Sequence, residues 1–123
     1  MNHHNCQFVL TIDGSFQASN QIRKAAIAWV LEDNTGKLIF QHFIQIHALT
    51  ALQTKALACL WALKQLCTIS CHFAQVKTNS LLLLHAVAKL ENCPPHVCSI
   101  IEDILRICQF LFAVQVVKVE ISL

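Results

Sequence analysis

The sequence predicts an α/β domain built on a five-stranded mixed sheet, an antiparallel meander of three strands extended by two parallel strands, with helices on both faces. Three observations predict it. Strand-type segments separated by turn chemistry open the chain, apolar residues take up helical spacing only from Thr50 onward, and strand-type and helical segments then alternate to the end. A meander followed by alternating units favours parallel additions through right-handed crossovers. No internal repeat, low-complexity tract or linker interrupts this order, so residues 1–123 are expected to form one domain.

Residues 6–12 are rich in strand formers, and Asp13-Gly14-Ser15 is a turn-type cluster, so the first strand is expected to stop there and present Asp13 at its end. Residues 25–31 form a second strand. The stretch 32–37 places Asn34 and Gly36 where a hairpin turn wants them, and residues 38–46 resume strand propensity. Thr50 is a helix-capping type, and Leu52, Ala56, Leu60, Leu63 and Cys67 recur at spacings of three and four, which marks a long amphipathic helix. A fourth strand falls on residues 71–77. Ser80 or Asn79 opens a second helix over 81–90, which Asn92-Cys93-Pro94-Pro95 must break. Apolar residues at Val97, Ile100, Ile101, Ile104, Leu105, Cys108 and Leu111, with Glu102, Asp103 and Arg106 opposite, give a third helix over 97–112. Three valines mark the closing strand, 114–121. Trp29 and Trp61 sit inside strongly apolar elements and are read as core aromatics.

Composition narrows the function classes. Of 123 residues 55% are hydrophobic and only 13% charged, with a net charge of +2, which excludes a disordered chain. The mean hydropathy of +0.53 raises the question of a membrane span. The longest uncharged run, residues 38–54, contains Gln41, His42, Gln45 and His47, and residues 107–117 fall short of the ~20 apolar residues a span needs. The amino terminus has no basic region followed by an apolar stretch, so no secretory signal is expected. Seven cysteines, an odd number, then read as reduced thiols inside a cell, in cytoplasm or nucleus, rather than as a disulfide scaffold. A surface this poor in charge also suggests that an apolar face is covered by a protein partner or a second copy.

Five pieces in order, Ile12-Asp13-Gly14-Ser15-Phe16, Ala28-Trp29-Val30-Leu31-Glu32-Asp33 with Gly36, Ala51-Leu52-Gln53-Thr54-Lys55-Ala56-Leu57-Ala58 running into Leu60-Trp61-Ala62-Leu63, Lys77-Thr78-Asn79-Ser80, and residues 100–112, resemble the ribonuclease H family. The resemblance is to its plant reverse-transcriptase-like form, found as free-standing domains and in retroelement remnants. It covers nearly the whole chain, and its specificity lies in order and spacing. Active members hydrolyse the RNA strand of an RNA–DNA hybrid with two Mg²⁺ ions held by four carboxylates: an Asp on the first strand, a Glu in the first turn of the long helix, an Asp after the fourth strand and an Asp beyond the fifth. Mg²⁺ requires such hard oxygen ligands, and two ions ~4 Å apart stabilise the attacking and leaving oxygens of the displaced phosphate.

Carried over residue by residue, the resemblance puts Asp13 at the first Asp, Lys55 at the helix Glu, Gln53 at a neighbouring acidic position and Asn79 at the next Asp. The sequence ends at Leu123, before the segment that supplies the fourth carboxylate, so one of the four ligands is expected. Lys77 shares a strand face with Asn79, and Asp13, Lys55 and Lys77 together make a site of roughly plus one where minus three or four is usual. Such a site repels Mg²⁺. A lysine there either neutralises Asp13 in place of the metal or offers a point charge to a phosphate. Without the resemblance, Asp13 reads as a turn residue and Lys55 and Asn79 as surface residues.

Cys67 with Cys71-His72, and Cys93 with His96 and Cys98, raise a zinc site, but the tight Cys-x-x-Cys pair is missing, and buried thiols with surface imidazoles are the plainer reading. No cysteine shows the strand-to-helix setting of a catalytic nucleophile. The nine Lys and Arg residues are scattered without a basic run, so nucleic-acid binding through Lys55, Lys77 and Asn79 is expected to be weak and salt-dependent. The expectation is therefore a catalytically degenerate ribonuclease H-like domain with no cofactor, binding a protein partner first and a nucleic acid second, with self-association through the outer meander strand as a third reading. The alternative is a residual Mg²⁺-dependent nuclease that uses Asp13 with Glu102, Asp103 or Glu120.

Overall fold

The structure is a computed structural model that describes residues 8–19, 22–69, 73–88, 93–110 and 113–118. Its elements follow in the order β1 (Phe8–Ser19), β2 (Ile22–Asp33), β3 (Leu38–Ile46), α1 (Ala51–Leu66), β4 (Phe73–Thr78), α2 (Leu81–Ala88), α3 (Pro95–Phe110) and β5 (Ala113–Lys118). The strands form one five-stranded sheet in the order β3-β2-β1-β4-β5. β1–β2 and β2–β3 are antiparallel, whereas β1–β4 and β4–β5 are parallel. This is the expected meander plus two parallel additions.

Element boundaries differ from expectation where the ladder overrides local chemistry. β1 does not stop at Asp13-Gly14-Ser15 but runs through it to Ser19, because β2 supplies a partner for every residue, including Asp13↔Ala28 and Gly14↔Ile27. Asp13 is thus inside a strand and not at its end. The β2–β3 turn is as expected: Asp33 Oδ1 accepts hydrogen bonds from the Thr35 hydroxyl at 2.6 Å and from the amides of Thr35 and Lys37 at 2.8 and 2.9 Å. These bonds, the Thr35 hydroxyl first, hold the Asp33 carboxyl below its ordinary range. Gly36 takes the φ of 87° that closes the turn. α3 begins at Pro95, two residues earlier than expected, because a proline at the first helical position loses no bond that the helix would otherwise make. Cys6, Cys71, His72, Leu90, Asn92, Leu111 and Glu120 lie outside the described residues.

The expectation of helices on both faces is not met among the described residues. α1 packs on β1 and β2, α3 packs on α1, and α2 touches α1, α3 and β5, so the helices form one contiguous layer. The ladder pairs Leu10 with Leu31 and Val76, Ile12 with Trp29, and Gly14 with Ile27, which puts these residues on one face, and all but the glycine are buried. Their neighbours Val9, Thr11, Asp13, Ala28, Val30, Gln75 and Lys77 point to the other face and are half-buried. The physical reason is the strand order. Both crossovers, β3 to β4 and β4 to β5, step in the same direction along the sheet between parallel strands, and two right-handed connections of that kind lie on the same side.

The core combines that sheet face with Ala56, Ala58, Cys59, Leu60, Ala62, Leu63 and Leu66 of α1 and Val97, Ile101 and Ile104 of α3. Trp29 is a core residue as expected, and its indole Nε1–H donates to Gln65 of α1. Trp61 is not: 42% of it is exposed, because it lies on the side of α1 away from the sheet. Cys67, read as part of the apolar stripe, is an exposed cap residue.

The layers approach closely at Gly14, where a Cβ would lie 3.0 Å from Thr54 Cγ2 and 3.3 Å from the Thr54 carbonyl carbon and oxygen. Gly14→Ala is expected to lower stability by about 1–3 kcal/mol in urea unfolding, as overpacked sites do. Thr54→Ser in the same chain, which removes only the Cγ2 methyl, is expected to recover part of that loss.

Candidate functional site

The site is assembled where β1 outruns β4. The parallel ladder ends at Thr11↔Lys77, and beyond it β1 carries Asp13 and Gly14 while the chain after β4 turns at Asn79 into α2. Ser80 fixes that turn: its hydroxyl accepts from the Leu83 amide at 3.1 Å and caps α2, and its own amide donates to Thr78 Oγ1 at 3.1 Å. The third side of the site is the first turn of α1. Thr50 caps this helix with its hydroxyl on the Gln53 amide at 3.0 Å, and Gln53 Oε1 reaches back one residue past the cap to accept from the Leu49 amide at 2.6 Å.

Lys55 projects from that turn into the gap between the strands. Its Nζ donates to the Gly14 carbonyl at 3.2 Å and to Asn79 Oδ1 at 3.4 Å, and stands 3.7 Å from Asp13 Oδ1. An ammonium has three N–H donors, and here three oxygens from β1 and from the β4–α2 turn surround it. The Asp13 carboxylate is also held by the Gly14 amide, which donates to Oδ1 at 2.9 Å. The Lys55 side chain is 24% exposed and that of Asp13 44% exposed, so the pair is partly solvated and its net contribution to stability is of the order of 0–1 kcal/mol.

Of the residues singled out in the sequence, the structure thus brings Asp13, Lys55 and Asn79 together. Lys77, half-buried on β4, makes no polar contact with them among the described residues. Gln53 has an architectural task, since its Nε2 donates to the His96 carbonyl at 3.0 Å and ties α1 to the start of α3. Asp103 is paired with Arg106 at 2.9 Å, and Glu102 is exposed on α3. Among the described residues no group of three or more His, Cys, Asp or Glu side chains is placed to hold a metal ion.

Among the described residues the Cys93, His96 and Cys98 cluster does not form a metal site either, and Cys71 and His72 of the other cluster lie outside them. His96 Nε2 pairs with Thr50 Oγ1 at 3.0 Å, and the Cys98 thiol donates to the Cys93 carbonyl at 2.9 Å. Burial, followed by the Cys98 hydrogen bond, pushes the Cys93 thiol up to about 11. Burial pushes Cys59 and Cys108 up as well, which disfavours their thiolate forms.

The sequence reading missed one cluster. Arg23 and Lys24 of β2 and His47 after β3 border an open cleft of about 740 Å³ with Ser15, Gln17 and Gln45, and among the described residues no acidic one lines it. Arg23 and Lys24 adjoin in sequence, and the β2–β3 register, which pairs Ala25 with Ile46, brings His47 to them.

The architecture is shared with known structures. The ribonuclease H1 of the halophilic archaeon Halobacterium salinarum superposes with a TM-score of 0.82 over 91% of this chain and 84% of that one, at 16% identity. The chain has the ribonuclease H fold. The N-terminal ribonuclease H domain of a Mycobacterium tuberculosis protein gives a TM-score of 0.81 at 12% identity, over 94% of this chain and 83% of that one. The prototype foamy virus ribonuclease H domain gives 0.76 at 17% identity, over 94% and 79%. A further ribonuclease H1, isolated from compost, is similar at 0.79 and 18% over 91% and 84%, and its structure is a complex with an RNA/DNA hybrid. No family model and no curated protein matches the sequence. Among the described residues, those at this site do not offer the oxygen set of a Mg²⁺ pair: Asp13 is the single carboxylate there, the Asn79 amide oxygen is neutral, and the Lys55 ammonium stands 3.2–3.7 Å from the oxygens around it.

Two outcomes follow. Lys55→Met is expected to shift the urea midpoint by the equivalent of less than about 1 kcal/mol, since the ion pair is partly solvated. The raised thiols favour the fold in their neutral form, so their contribution is complete below the unfolded thiol range near 8.5–9 and is lost as pH rises towards the folded values. Stability measured by denaturant titration is expected to fall above pH 9 by about 1.4 kcal/mol per pH unit for each such thiol. Cys59→Ala is expected to flatten that slope.

Proposed function

We propose that the protein is a catalytically degenerate ribonuclease H-like domain that acts inside the cell as a binding module, for a protein partner first and a nucleic acid second. The single observation that carries the reading is the Lys55 ammonium, seated 3.2–3.7 Å from oxygens of Gly14, Asn79 and Asp13. A fixed positive charge among these oxygens opposes the entry of a divalent cation, and the two neutralised positions, Lys55 and Asn79, remove the charge that would hold one. The similarity to ribonuclease H structures supports a nucleic-acid-related ancestry, and the poverty of charge supports a role carried by an apolar surface. Nucleic-acid binding would draw on Arg23, Lys24 and His47 beside Lys55 and Lys77, with a steep loss of affinity as salt rises. The plant-type, retroelement-derived origin remains part of the proposal.

The test is a cleavage assay on a labelled RNA–DNA hybrid with Mg²⁺, Mn²⁺ or chelator, beside Asp13→Asn. No metal-dependent cleavage is expected from the folded protein; cleavage that requires Asp13 would overturn the reading. The double variant Lys55→Glu plus Asn79→Asp is expected to gain metal affinity, seen as a Mg²⁺-dependent rise in stability of about 2.7 kcal/mol when the ion is a hundredfold above its Kd. The unaltered chain is expected to show no such rise.

A further inference from the structure

We infer that the outer edge of β3 pairs antiparallel with β3 of a second copy of this chain, about a two-fold axis at Phe43, to give one continuous ten-stranded sheet. Among the described residues β3 pairs only with β2, and its other edge is the unpaired border of the sheet. Natural edges of this length are blunted by lysine, proline or inward-pointing charge, and β3 has no charged residue and no proline over its nine positions, Leu-Ile-Phe-Gln-His-Phe-Ile-Gln-Ile. The one irregularity of its ladder lies between Leu31 and Glu32 of β2, opposite Leu38–Phe40, so the segment from Phe40 to Ile46 is a regular strand. Phe43 is 71% exposed, the most exposed large hydrophobic residue described, because its cross-strand neighbour on β2 is the small Ala28.

The choice of a second copy as the occupant comes from the order of side chains. Closed dimers are isologous, and a two-fold normal to the sheet keeps each residue on its own face and passes through a residue position. With the axis at Phe43, the face away from the helices sets Phe43 against Phe43 of the partner subunit and Gln41 against the partner's Gln45 on both sides. The helix face sets Phe40 against the partner's Ile46 and His42 against the partner's Ile44. Every pair joins like with like or an aromatic ring with a branched aliphatic, the combinations that stabilise cross-strand neighbours, and none opposes two charges. A foreign strand would need to match this pattern by design, whereas a second copy matches it by symmetry. The pairing consumes one edge per chain and so closes at a dimer.

Sedimentation of the full chain over a wide concentration range is expected to show a reversible monomer–dimer equilibrium. Phe43→Lys, at an exposed position that leaves the fold intact by circular dichroism, is expected to raise the dimer Kd about tenfold or more by opposing two ammoniums at the axis. The register is tested separately. Gln41→Lys with Gln45→Lys opposes like charges at both flanking pairs and is expected to leave only monomer, whereas Gln41→Lys with Gln45→Glu opposes unlike charges and is expected to keep the dimer. A chain that stays monomeric at all concentrations, a dimer indifferent to Phe43→Lys, or equal behaviour of the two double variants would overturn the inference.

Discussion

The contact on which the rest of the structure depends is the seating of α1 on β1 at Gly14. With Thr54 Cγ2 3.0 Å from where a Cβ would stand, the helix lies as close to the central strand as a missing side chain allows. That closeness brings the next residue of α1, Lys55, within hydrogen-bonding reach of the Gly14 carbonyl and places the first helical turn over the point where β1 and β4 separate. It also lets the core side of α1, from Ala56 to Leu66, meet Leu10, Ile12, Ile27 and Trp29 without a gap. Site geometry and core packing are consequences of the same approach.

A second constraint is the monotonic strand order beyond the meander. Because both crossovers step the same way, one face of the sheet receives all the described helices and the other keeps half-buried residues such as Val9, Ala28 and Val30. The site and the open cleft lie at the end of the sheet where β1, β2 and β3 extend beyond β4, and the bare strand edge belongs to the same three-stranded half. The cleft and the β3 edge therefore belong to the antiparallel half, and the parallel half with its helices completes the scaffold.

Much of this was legible in the sequence, and the failures have physical causes. The bounds of β3, the Thr50 cap and the Asp33–Gly36 turn were readable because each is decided locally, by propensity, one hydroxyl or one positive φ. Asp13-Gly14-Ser15 was misread as a strand end because its turn chemistry is local while its β2 partners are not. Trp61 was misread as core because mean hydropathy does not reveal which side of a helix meets the sheet. The grouping of Asp13, Lys55 and Asn79 was visible only through a resemblance that supplied the spatial juxtaposition. The Gln53–His96 tie and the Arg23–His47 cleft have no sequence signal at all, since each depends on residues more than twenty positions apart meeting through the sheet and helix layer.

The cation at the centre of the site is part of the polypeptide, and that changes what the site responds to. A dissociable ion joins strand, helix and turn only while its free concentration exceeds its Kd, so the joint loosens with chelation or depletion. Lys55 is tethered to the helix it helps to anchor, and its effective concentration is fixed by the chain itself. The arrangement of β1, α1 and the β4–α2 turn in this way does not depend on the concentration of a free divalent ion.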